Sequence, residues 1–176
     1  MTEPHDVTVS LRSAEPEDAA ALQAFWRQEV APCDLITGDD ATLTMSLPRL
    51  ADQLAAIAVA PNNLLLLAWA PEQELIGYLR LAASSETAIA QVAELGLIVA
   101  ADYRHQGLGR ALMATALDWA EQEAPLHRIQ LEVQQRNQAA RRLYQTFGFQ
   151  EEGHLVESYR AVSGQWLDTI LMARIL

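Results

Sequence analysis

Hydrophobic positions along this chain follow two rhythms, one of period two and one of helical period. Val7, Val9 and Leu11 alternate with Thr8, Ser10 and Arg12, the pattern of a half-buried strand. Leu22, Phe25, Trp26 and Val30 then recur at helical spacing. Pro16, Glu17 and Asp18 ahead of them suit a first helical turn, and Pro32 closes the segment. After a loop over 31–45 that contains Gly38-Asp39-Asp40, the residues Leu47, Leu50, Leu54 and Ile57 share one face of a helix running from Leu47 to Val59. Leu64–Trp69 and Leu75–Ala82 read as an antiparallel hairpin turning at Pro71-Glu-Gln-Glu. A long strand follows from Ala88 to Val99, where Gly96 predicts a bulge or a close backbone approach.

Leu108, Leu112, Ala116 and Trp119 then mark one face of a helix that stops before Pro125. Ile129, Leu131 and Val133 lie on one side of a strand from Arg128 to Val133. Asn137 suits an N-cap, and Gly148 suits the C′ position of the helix that Asn137 opens. Two strands close the chain, Gln150 to Arg160 and Trp166 to Ile175, joined by Val162-Ser-Gly-Gln. The order is β-α-α-β-β-β-α-β-α-β-β. It predicts one α/β domain over residues 1–176, with a central sheet covered by helices on both faces. The strand-helix-strand unit across residues 94–133 predicts a parallel pair.

Composition narrows the setting. No apolar run approaches the ~20 residues that span a bilayer, and the polar, acidic start is unlike a secretory signal, so a cytoplasmic protein is expected. A single cysteine, Cys33, excludes an internal disulfide and any multi-cysteine metal site. The four histidines, His5, His105, His127 and His154, show no metal-ligand spacing, so no metal is expected. Net charge is −11 and every one of the twelve cations is arginine, which argues against a nucleic-acid groove. The charge is compatible with a cationic substrate such as an amine, although solubility alone explains it too.

The richest stretch is Glu94-Leu-Gly-Leu-Ile-Val-Ala-Ala-Asp-Tyr-Arg104-His-Gln-Gly107-Leu-Gly109-Arg110. It reads as a buried strand feeding a glycine loop and a helix N-terminus. Spare N–H donors and the helix dipole there favour an anion, most simply a phosphate-bearing cofactor. A Walker loop is absent, and Leu112 stands where a dinucleotide fingerprint needs a third small residue.

The segment Arg104-His-Gln-Gly107-Leu-Gly109 resembles the Arg/Gln-x-x-Gly-x-Gly/Ala pattern for acetyl-coenzyme A binding in the GCN5-related N-acetyltransferases (GNAT). Asn137-Gln-Ala-Ala140-Arg-Arg-Leu143-Tyr144-Gln-Thr-Phe147-Gly148-Phe149 is similar to a second signature of that family. Together, and in this order, they are specific, and the resemblance covers nearly the whole chain. It implies a GNAT-like fold, a central mixed six- to seven-stranded sheet flanked by about four helices. It also implies transfer of an acetyl group from acetyl-CoA to a primary amine by direct attack in a ternary complex, since no placed nucleophile is visible. The C-terminal segment from Tyr159 to Met172 resembles branches acting on free amino acids or protein α-amines. A small amine or amino acid is the first substrate class and a protein N-terminus the second. A non-catalytic acetyl-CoA-sensing module is the alternative outside enzymes, and a homodimer is a family-level expectation.

The resemblance also distributes roles. The backbone of His105, Gln106, Gly107, Leu108, Gly109 and Arg110 would face the pyrophosphate, with Arg104 and Arg110 adding charge nearby. Leu97, Ile98 and Val99 would line the pantetheine arm, and an N–H near Leu97 would polarise the thioester. Asn137 would contact the pantetheine, and Tyr144, two helical turns on and on the same face, would protonate the leaving thiolate. Glu94 and Glu132 are both candidates for the base. The demand on that base depends on the acceptor. An α-amine of pKa ~8 is about 10% neutral at pH 7, but a lysine-like amine of pKa ~10.4 only about 0.04%. Arg141 and Arg142 suit either the cofactor's 3′-phosphate or an exposed helix face, and Trp26, Tyr159 and Trp166 either a substrate pocket or the core.

Overall fold

The run Leu64-Leu-Leu-Leu67 is buried on both sides, as a strand inside a two-faced core must be. Everything else is arranged around it. The computed structural model describes residues 9–35, 41–161 and 163–176. His5, Val7, the Gly38-Asp39-Asp40 loop and Val162 fall outside them. The strands are β1 (Ser10–Ser13), β2 (Leu64–Trp69), β3 (Leu75–Ala83), β4 (Val92–Val99), β5 (Arg128–Gln134), β6 (Gln150–Arg160) and β7 (Trp166–Ile175). The helices are α1 (Ala19–Phe25), a single turn α2 (Ala41–Thr44), α3 (Leu47–Val59), α4 (Leu108–Gln122) and α5 (Gln138–Thr146). A wider π-turn, Trp26–Val30, prolongs α1.

The strands form one mixed sheet in the order β1-β2-β3-β4-β5-β7-β6. Alternation along β2 splits the core into two layers. Leu64, Leu66 and Ala68 pack with Leu112, Met113 and Ala116 of α4, and with Tyr144, Phe149 and Met172. Leu65 and Leu67 pack with Tyr78, Ile98, Leu22, Phe25, Leu50 and Leu54, beneath α1 and α3. Helices therefore cover both faces of the sheet, as the period-two and helical patterns predict. No helix among the described residues is long and apolar enough to cross a membrane.

Some expectations shift. Leu47 begins α3 but stays 43% exposed, because a helix's first turn overhangs the layer that its later turns cover. β4 starts at Val92, since residues 87–90 form turns, not strand. The crossover pair β4 and β5 is parallel, yet it comprises only Val92↔Arg128, Ala93↔Ile129 and Glu94↔Gln130. On the other side, the β3–β4 register runs unbroken from Ala83↔Ala93 to Gly77↔Val99, so Gly96 is not a bulge in that ladder. The irregularity lies toward β5: past Glu94 the two strands separate.

Candidate active site

That separation makes the site. In an antiparallel ladder, alternate residues turn their N–H and C=O to opposite neighbours. The Ala100 N–H donates to the Ile76 C=O at 2.9 Å, and this sets the phase. Gly96 and Ile98 therefore bond to β3, while Leu95, Leu97 and Val99 turn their backbone groups toward β5. With β5 gone from their side, the edge is open at Leu97 and at the Val99 N–H, whereas the Val99 C=O accepts from Arg104 Nε at 3.0 Å. A cleft of about 880 Å³ runs through the gap, bordered by Leu97, Val99 and the loop that follows.

The loop leads into α4 through two left-handed residues, His105 (φ 62°) and Gly107 (φ 89°). Alternating left-handed residues turn successive N–H groups into one concavity, a natural anion cradle. Gly107 is the N-cap of α4, so the helix's unpaired N–H groups and dipole join that cradle. A Cβ on Gly109 would meet Leu143 at 3.4 Å, Leu97 at 3.8 Å and Val99 at 3.9 Å. A side chain there would fill the space between β4 and α5.

α5 brings the remaining groups to the gap. Asn137 caps it, its Oδ1 accepting from the Ala140 N–H at 3.2 Å, and the same residue borders the cleft. At the other end, Gly148 (φ 82°) closes the helix in a Schellman motif. The Phe149 N–H donates to the Tyr144 C=O at 3.2 Å, and the Gly148 N–H to the Gln145 C=O at 3.0 Å. The motif sets Phe149 against Tyr144, ring centroids 6.0 Å apart, and so fixes the tyrosine's place in the cleft wall. Burial pushes the Tyr144 hydroxyl up to about 12.

The opposite sheet face carries Glu94, Gly96, Glu132, Tyr78 and Arg80, all at the same cleft. Glu132 is held. Thr169 Oγ1, fully buried on β7, donates to Glu132 Oε1 at 2.5 Å and lies 2.5 Å from Ser158 Oγ. Ser158 reaches Thr169 because β6 bulges between Leu155 and Tyr159. Asp168 supports the bulge by accepting from the Glu157 N–H at 2.9 Å, and it pairs with His154 at 2.8 Å. Trp26 stacks on Tyr78 at 6.0 Å and 16°. The segment after α1 crosses to β5: the Asp34 C=O accepts from Gln134 Nε2 at 2.8 Å and from Arg136 Nη2 at 2.7 Å.

Most residues singled out in the sequence converge on this cleft: Glu94, Glu132, Asn137, Tyr144, Leu97, Ile98, Val99, Arg104, His105, Gly107, Gly109 and Arg110. Four of the assigned residues have side-chain placements that the sequence does not show, and of these Ile98 departs from its expected role. Ile98 turns its backbone to β3 and its side chain to the core. Leu108 is buried under the loop, leaving only its N–H for the cradle. Gln106 is exposed and donates back to the Asp102 C=O at 2.8 Å. Arg104 lies at the loop end of the cleft with its Nε donating to the Val99 C=O at 3.0 Å. Arg141 is tied to Glu151 at 2.5 Å, whereas Arg142 is exposed. Of the three aromatics considered for a pocket, Trp26 borders the cleft, and Trp166 is 54% exposed outside it. Arg80, Tyr78, Thr169 and Gln134 escaped the sequence reading. None belongs to a motif; only strand register brings Arg80 and Tyr78 to the gap and sets the buried Thr169 and Gln134 behind it, against Glu132 and Asp34.

Residues 23–149 match the Acetyltransferase (GNAT) family, and the chain belongs to this family of acetyl-CoA-dependent N-acetyltransferases. Its relatives differ in acceptor. The L-amino acid N-acetyltransferase of Escherichia coli is 25% identical over 167 residues, covering 95% of this chain and 98% of the relative. The spermidine N(1)-acetyltransferase of Vibrio cholerae is 40% identical over 76 residues, a match spanning 43% of each chain. An acetyltransferase of the GNAT family from Streptococcus pneumoniae has the same fold, with a TM-score of 0.90 at 30% identity over 96% of this chain and 100% of that one. The residues present fit acetyl-CoA. They supply an open strand edge for an amide-bearing arm, a cluster of N–H groups for phosphates, and a glycine whose Cβ would obstruct the space between.

Proposed function

We propose that the protein acetylates the primary amine of a small molecule or free amino acid by direct attack within a ternary complex. The observation that carries this reading is the parting of β4 and β5 after Glu94. It joins an open backbone edge beside Asn137 and Tyr144 to an opposite face holding two carboxylates. One side suits an acyl carrier and the other an ammonium group, and the gap between them is where they would meet. Acetyl-CoA, when bound, supplies an acetyl group activated as a thioester.

The roles follow from the placement. Glu132, oriented by the Thr169 hydroxyl, takes the proton that makes the acceptor amine neutral. Glu94, on the same face, attracts the ammonium form into place. The Leu97 N–H, facing the gap, donates to the carbonyl oxygen as charge develops there. Tyr144 donates to the departing sulfur. Its hydroxyl, raised to about 12 by burial, keeps its proton throughout the physiological range. An ordinary thiol has a pKa near ~8.5, so full proton transfer from this phenol is uphill at first. Tyr144 therefore acts initially as a hydrogen-bond donor to the sulfur.

The two curated relatives described above act on small amines, one on L-amino acids and one on spermidine, which supports the substrate class. The test is coenzyme A release from acetyl-CoA with a panel of amino acids, polyamines and peptides. Release with amino acids or small amines is expected. Release only with peptides moves the reading to protein N-termini. Tight acetyl-CoA binding without turnover on any amine leaves a sensing module in its place.

A further inference from the structure

The acceptor side of the cleft holds a cation that the mechanism above does not use. Arg80 stands on β3 directly opposite Gly96 of β4. It is exposed to the cleft and forms no hydrogen bond or ion pair with a described residue. A Cβ built on Gly96 would have one neighbour within 4 Å, Arg80 Nε at 4.0 Å. The guanidinium thus lies over a floor without side chains. Glu94 is its diagonal cross-strand neighbour, within ~7–8 Å between Cα atoms for such pairs, yet the two do not form a salt bridge. Tyr78, stacked on Trp26, lies beside it, and the Arg80 charge opposes the upward push of burial on the Tyr78 hydroxyl.

Arg80 is not placed to serve the cofactor. Strand alternation puts it on the face beneath α1 and α3, with Tyr78 and Ile98, while Gly109, Leu143 and Tyr144 belong to the other face. What remains is an arginine fork and two carboxylates, Glu94 and Glu132, converging on one open space. A planar guanidinium binds a carboxylate through two parallel N–H bonds. Carboxylates hold an ammonium group.

We infer that Arg80 anchors the carboxylate of the acceptor, so that the substrate is a free amino acid rather than a polyamine or a peptide N-terminus. A polyamine brings no anion for Arg80 and would place a second cation near it. A peptide has no carboxylate next to its α-amine. The flat wall of Trp26 and Tyr78 is left for the amino acid's side chain. This inference rests on the acetyltransferase reading of the same site.

The test compares acceptors that differ only in that carboxylate. The proteinogenic L-amino acids are assayed for coenzyme A release, and each active one is matched with its decarboxylated amine, such as 3-methylbutylamine for L-leucine. The wild type should prefer the amino acid by about tenfold or more in kcat/KM, the worth of a charged hydrogen-bonded pair. Arg80→Ala should raise KM for the amino acid about ten- to a hundredfold, with kcat and the KM of the matched amine nearly unchanged. Arg80→Lys should recover part of the loss, and Arg80→Glu should shift preference toward spermidine. Equal turnover of acid and amine by the wild type overturns the inference, as does an equal loss on both in Arg80→Ala. Acetylation without carboxylate preference leaves the acetyltransferase reading intact and defeats this one. If no amine is acetylated, calorimetry decides: L-amino acid binding to the coenzyme A-saturated protein that disappears in Arg80→Ala upholds Arg80, and no binding defeats it.

Discussion

On the α4–α5 face of the sheet the cleft is made largely of backbone, whereas on the α1–α3 face it is made of side chains. The first half consists of the open edge at Leu97 and Val99, the turned N–H groups from His105 to Gly109, and a helix N-terminus. Asn137 and Tyr144 complete it from a single nine-residue helix. The second half draws Arg80 from β3, Glu94 from β4, Glu132 from β5 and its brace Thr169 from β7. Backbone recognition suits a ligand that never changes. It needs glycines at fixed spacing and tolerates no side chain in their place. Side-chain recognition suits a ligand that differs between relatives, because one substitution on a strand changes what the face can hold without disturbing the ladder beneath.

Substitutions that respect or cross this division should separate the halves. The largest effect belongs to Gly109→Glu, which puts a side chain into the space bounded by Leu143, Leu97 and Val99 and a negative charge where phosphate is expected. Acetyl-CoA affinity should fall by about a hundredfold or more, at least ~2.7 kcal/mol by calorimetry, with the circular dichroism spectrum preserved. Next comes Tyr144→Phe. We expect kcat to drop by about 10²–10³ while the Kd for acetyl-CoA stays within about threefold. In the wild type this phenol loses its proton only near pH 12, so the rate should not fall from its ionisation anywhere below about pH 11. An alkaline decline centred near pH 9 that vanishes in Tyr144→Phe would contradict that assignment.

On the other half, Glu132→Gln should lower kcat/KM about ten- to a hundredfold without touching acetyl-CoA affinity. Glu94→Gln should act mainly on acceptor KM. An interchange of those two patterns would exchange their roles. Thr169→Val, which removes only the hydroxyl that orients Glu132, should cost about fivefold in kcat/KM, near 1 kcal/mol. The smallest functional effect is expected at Gly148→Ala. It forces a side chain into a left-handed position and should destabilise the fold by about 1–2 kcal/mol, lowering Tm by a few degrees. The accompanying loss of turnover should be less than in Tyr144→Phe.

The motifs of the cofactor half were legible because they are local. Gly107 and Gly109 at the start of a helix, and Asn137 and Gly148 at the two ends of another, have meanings set by positions a few residues away. Leu64–Trp69 was legible as a short unbroken apolar run bounded by turns, and Leu47–Val59 through its helical period. Gly96 left a bulge and a close backbone approach both open, because a glycine inside a strand has several causes, and only the neighbouring strands exclude a bulge toward β3. That Arg104 turns its Nε onto the Val99 C=O was not legible, because sequence spacing does not say where a long side chain folds.

By itself, the sequence determined the order of elements, the two-layered core and the glycine loop that opens α4, all of which depend on short-range periodicity and backbone stereochemistry. Only the tertiary structure decided where β4 leaves β5, and therefore which backbone groups stay open and which side chains share the gap. Arg80, Glu132 and Thr169 are separated by tens of residues along the chain, and strand register puts Arg80 and Glu132 at one cavity and Thr169 behind Glu132. Register between strands distant in the chain depends on which apolar faces meet across the sheet, and so on contacts beyond any one segment.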